Sequence, residues 1–132
     1  MTAIKKPVGL AQSMLNKGRI TRAQFYTWER LARDGYAAGM AGNPNTTHYD
    51  RSYVDGGPAE SDYAMQRRQV VNKIILSCGR LGGAVLDYVC IKGVSLKEAS
   101  TRLEDCNNPH QAAGILKGAL DVAANVYREL QN

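Results

Sequence analysis

The chain has 132 residues, 44% of them hydrophobic, which is enough for one compact domain or a domain with an arm. With one Trp, one Phe and seven Tyr, its core must be built mainly from Leu, Ile, Val and Ala, which suits packed helices better than a β-sandwich. The formal net charge is +5, and no apolar run approaches the roughly 18 residues that a membrane span needs, so no membrane partner is expected.

The charge is unevenly placed. Lys5, Lys6, Lys17, Arg19 and Arg22 all precede the first acidic residue, Glu29. A cationic stretch without counter-charge suits either a phosphate-seeking arm or a solvated N-terminal segment. Met1 to Lys6 carries two lysines with no apolar stretch behind them, which argues against a secretory signal.

Leu10, Met14 and Leu15 are spaced for one face of a short helix that Lys17-Gly18 ends. Thr21 then offers an N-cap to a helix over Arg22 to Met40, in which Phe25, Trp28, Leu31 and Ala32 form an apolar stripe and Gly35 and Gly39 weaken the second half. From 42 to 61 the turn signals Gly42-Asn43-Pro44-Asn45 and Asp55-Gly56-Gly57-Pro58 mark a polar linker. It divides a basic N-terminal helical segment, 1–41, from a helical domain, 62–132.

Asp62 is a candidate N-cap for the next helix, whose core face takes Met65, Val70, Val71, Ile74, Ile75 and Cys78, with Gly79 as its stop. The run Ala84 to Ile91 is short and β-branched, so a buried strand competes there. Helix is preferred because both neighbours are helical and no partner strand is visible. Ser95, followed three residues later by Glu98, has the spacing of a capping box and starts a short helix to about Leu103. After the polar turn Glu104 to Asn108, with Asn108 as cap and Pro109 in the first helical position, a last helix runs to about Leu130. Its apolar stripe is Ala112, Ile115, Leu116, Ala119, Leu120, Ala123 and Val126 or Tyr127. The fold class is therefore all-α, a helical bundle.

A short capped helix, a polar turn and a second helix with a polar leading edge is the order of a helix-turn-helix, here 95–127. The residues that would reach DNA are Asn107, Asn108, His110, Gln111, Gly114 and Lys117, backed by the cations at 5, 6, 17, 19 and 22. Gln can bond adenine in bidentate fashion, Lys can bond guanine or a phosphate, and Gly114 would let the helix approach closely. An ordinary helical hairpin with solvated polar residues has the same spacing.

The pieces Gly83 to Cys90, Lys92-Gly93, and Pro109 to Asp121 ending in Tyr127 carry a family resemblance. The stretch Leu81 to Tyr127 resembles an uncharacterised C-terminal domain of alphaproteobacterial and phage-derived regulators, some of them regulators of prophages and gene transfer agents. Its final helix is similar to the DNA-reading helix of sigma-factor region 4. Arg30 to Gly39 matches more loosely. At the start of the last helix, where those relatives carry Arg and Lys, this chain has His110, Gln111 and Gly114. The resemblance implies a sequence-specific transcription regulator of duplex DNA in a bacterial or phage-infected cytoplasm, with RNA polymerase as a further partner and activation or antitermination as its mode.

Other readings remain open: a small terminase-like packaging subunit that forms rings through Thr21 to Met40, or a polymerase-binding protein with no DNA affinity. No coiled-coil signature specifies an oligomer. An enzyme is not expected: His48 and His110 have no Ser or Cys partner in a recognised motif, and Gly79-Arg80-Leu81-Gly82-Gly83 lacks the Gly-Lys-Ser/Thr ending of a phosphate loop. Cys78, Cys90 and Cys106 are odd in number and widely spaced, so buried thiols are expected, with no metal and no cofactor.

Overall fold

The computed structural model describes residues 9–40, 62–103, 106 and 108–131. Every regular element among them is helical: α1 (Leu10–Asn16), α2 (Arg22–Ala37), α3 (Asp62–Ser77), α4 (Gly79–Val85), α5 (Leu96–Arg102) and α6 (Pro109–Gln131). The helix α4 continues as a π-helical segment over Leu86–Ile91. Lys5, Lys6, Asn107 and the expected linker 42–61 lie outside the described residues. Among the described residues, no helix is long and apolar enough to cross a membrane.

Local chemistry accounts for most helix ends. Thr21 Oγ1 accepts from the Gln24 amide at 3.1 Å while Gln24 Oε1 accepts from the Thr21 amide at 2.9 Å, so α2 begins with a full capping box. It stops at Ala37, three residues short of the expected Met40. Asp62, expected as a cap, is the first helical residue of α3 and places its carboxylate near the positive helix end. At Gly79 φ is +80°, a left-handed conformation that costs glycine little, and the chain breaks there before re-entering helix as α4. Only half of the box expected at α5 forms. Ser95 Oγ accepts from the Glu98 amide at 3.1 Å, but the Glu98 carboxylate pairs with Arg102 one turn on. At α6, Asn108 Oδ1 accepts from the Gln111 amide at 2.8 Å and Pro109 opens the helix, as expected.

The strand alternative for 84–91 gives way to helix. Lys92 N donates to Asp87 O at 2.9 Å, five residues back, which is the wide turn of a π-helix. That segment buries Leu86, Val89, Cys90 and Ile91, and Ile91 rests on bare backbone of α2. A Cβ at Gly35 would lie 2.8 Å from Ile91 Cγ2. Gly35 thus marks a close helix crossing, where the sequence pattern had suggested only a weak point.

One hydrophobic core joins elements on both sides of the 42–61 segment. Phe25, Trp28 and Leu31 of α2 are buried together with Val71 and Ile74 of α3, Val85 of α4, Ala99 of α5, and Ala112, Leu116, Leu120 and Ala123 of α6. The helices α2 and α6 run side by side in the same direction, since Gln24 meets Asp121 and Asp34 meets Tyr127. Burying each large aliphatic side chain contributes about 1.5–3 kcal/mol, and α6 supplies Leu116, Leu120 and Val126 to this core between its buried alanines. One expected core residue is misplaced: Met65 is 46% exposed. Between Arg67, which turns to α2, and the open face of α3, Met65 falls on the outside of the helix.

Candidate nucleic-acid interface

Leu96 and Ala99 of α5 are buried, and α5 packs on the leading half of α6, where Ala112, Ala113 and Leu116 face inward. The opposite edge of that half carries His110, Gln111 and Gly114, all exposed. A Cβ added at Gly114 or Gly118 would meet no atom within 4 Å, so this edge is low and open.

The other expected contact residues differ in exposure. Lys117 is half-buried, and its backbone carbonyl accepts from Gln24 Nε2 at 3.4 Å. Asn108 is exposed, but its Oδ1 is engaged as the α6 cap, so its role at the surface is to hold the helix start. Of the N-terminal cations, Arg19 lies against the beginning of α6. It lines an open cleft of about 450 Å³ with Leu96, Asn108, Pro109 and His110. Lys17 is exposed in the turn after α1, and Arg22 is exposed in the first turn of α2.

Two buried polar clusters escape sequence reasoning, and both hold α2 to α6. In the first, Gln24 Nε2 donates to Asp121 Oδ1 at 3.1 Å as well as to the Lys117 carbonyl. This fixes the turn carrying Arg19 and Arg22 relative to α6. In the second, the Tyr127 hydroxyl donates to Asp34 Oδ2 at 2.6 Å, and Arg67 Nη1 reaches Asp34 Oδ1 at 3.4 Å. The Arg30 guanidinium lies 3.9 Å from the Tyr127 ring centroid. Burial and the hydrogen bond to Asp34 push the Tyr127 phenol far above the ordinary tyrosine value, against a smaller opposing pull from Arg30 and Arg67. The legible signal was position: Asp34 continues the Phe25–Trp28–Leu31 spacing, and a carboxylate on a buried stripe requires a partner.

Among the described residues, no group of three or more His, Cys, Asp or Glu comes together as a metal set. Cys78, Cys90 and Cys106 are free thiols. Burial pushes Cys90 well up and Cys78 up, so both stay protonated at neutral pH and make poor nucleophiles.

No family model matches the chain, and no curated protein or solved structure is significantly similar to it.

Proposed function

We propose that this protein is a sequence-specific DNA-binding regulator of transcription in which α5 and α6 act as a helix-turn-helix. In this reading α5 braces α6, and the leading edge of α6 enters the major groove with His110 and Gln111 toward base edges. The observation that carries it is the open polar edge of α6 with Arg19 beside its start. Arg19 supplies a phosphate contact at the groove rim, and Lys17 and Arg22 extend the positive field. Gly114 keeps the edge low enough for close approach. Lys5 and Lys6 belong to the same cationic N-terminal stretch. RNA polymerase is the natural second partner of a sigma-region-4-like protein, which would act as an activator or antiterminator in a bacterial or phage-infected cytoplasm.

A packaging role in the manner of a small terminase subunit is less well supported. The stripe on α2 proposed as its ring-forming surface is used inside the core, with Leu31 fully buried.

The test is fluorescence anisotropy on a random duplex of about 30 base pairs, titrated between roughly 50 and 200 mM salt. Affinity that falls steeply with salt is expected. A flat, absent response at low salt would remove DNA from the reading and leave a protein partner.

A further inference from the structure

A second surface lies where α2 passes the C-terminal half of α6, some three to four turns along α6 from the edge described above. There Tyr26, Thr27, Arg30, Ala124, Tyr127 and Arg128 line an open cleft of about 240 Å³. Its cations are held in place. Arg30 is stacked on the Tyr127 ring at 3.9 Å, and Arg128 Nη1 donates to Asn125 Oδ1 at 3.1 Å. The carboxylate nearest in sequence to Arg30 on its own helix face, Asp34, is engaged by Tyr127 and Arg67. Among the described residues Arg30 and Arg128 form no ion pair. Tyr26 stands beside the cleft at 58% exposure.

We propose that this cleft is a docking site for an acidic protein segment, receiving an Asp or Glu side chain between Arg30 and Arg128 with Tyr26 packing on the flanking residues. Two features select that occupant. A guanidinium held over the Tyr127 ring presents a preset fork, which matches a carboxylate better than a mobile lysine would. Arginine and tyrosine together are the side chains that dominate the energetics of protein interfaces. The cleft has room for one carboxylate-bearing side chain. The surface is separate from the α6 leading edge, so it could serve a protein partner while DNA is bound.

The experiment is a ¹H–¹⁵N NMR titration of the full chain, including arginine Nε–Hε resonances, with a ten-residue oligoglutamate and separately with single-stranded dT10. Saturable shifts centred on Tyr26, Arg30 and Arg128 with oligoglutamate are expected, dT10 producing weaker shifts there. Arg30→Lys retains the charge but loses the fork, and Arg128→Ala sits at an exposed position. Each is expected to weaken oligoglutamate binding roughly tenfold, as loss of a hydrogen bond between charged groups implies, without changing duplex DNA affinity. Shifts spread over all cations, equal affinity in Arg30→Lys, or a preference of the cleft for dT10 would each overturn the proposal. A failure of duplex DNA binding would instead count against the α6 reading alone.

Discussion

Gly114→Ala separates the stability of α6 from its use. A glycine inside a helix costs roughly 0.5–1 kcal/mol relative to alanine, because it gives up more backbone freedom on folding. At Gly114 the added methyl group meets nothing within 4 Å, so no clash offsets that gain. The free protein is therefore expected to become more stable by about 0.5–1 kcal/mol in urea denaturation followed by circular dichroism, with an unchanged m-value. The same methyl group stands on the edge proposed to enter the major groove. Crowding a close-packed contact by one methyl costs about 1–3 kcal/mol, so affinity for the preferred duplex should fall roughly five-fold or more. Gly118→Ala serves as the control. It is equally open, is one turn further on, and is expected to stabilise by a similar amount with a smaller effect on DNA. Equal stabilisation and undiminished DNA affinity in Gly114→Ala would refute close approach of this edge. A loss of stability would refute the helix-propensity argument itself.

Gln111→Ala is expected to lower the ratio of specific to random duplex binding while leaving the salt slope intact, measured by competition anisotropy; equal losses on both duplexes would remove Gln111 from base readout. Tyr127→Phe removes the donor to a buried Asp34 and is expected to destabilise by about 1.5–3 kcal/mol, as read by fluorescence of the sole tryptophan, the buried Trp28, and a change below about 0.5 kcal/mol would contradict the cluster. Because the folded-state phenol lies above the unfolded one, that contribution is fully present below about pH 10 and is lost as pH rises further. Ultraviolet titration should accordingly show a tyrosine that resists ionisation until alkaline unfolding, absent in Tyr127→Phe. Gly83→Ala would put a Cβ 2.5 Å from the Ile75 carbonyl oxygen, forcing α4 off α3, and is expected to lower stability by about 1–3 kcal/mol or more in the same urea assay.

The helices and most of their ends were legible in the sequence because they depend on neighbours three and four residues away. Thr21, Ser95 and Asn108-Pro109 cap helices through local hydrogen bonds, and Gly79 stops one through its own backbone freedom. The stripe from Ala112 to Tyr127 was equally visible, since a 3.6-residue period does not depend on what lies opposite. Periodicity could not choose between helix and strand at 84–91, where both tolerate a short β-branched run, and it placed Met65 on the wrong face. Only the packing of α2 along α6 decides the rest. It joins Asp34 to Tyr127 across 93 residues and Gln24 to Asp121 across 97, and the fold as a whole sets Arg19 beside His110. Such pairs are specified by the angle and register of two helices, which follow from interdigitating side chains and have no trace in local spacing.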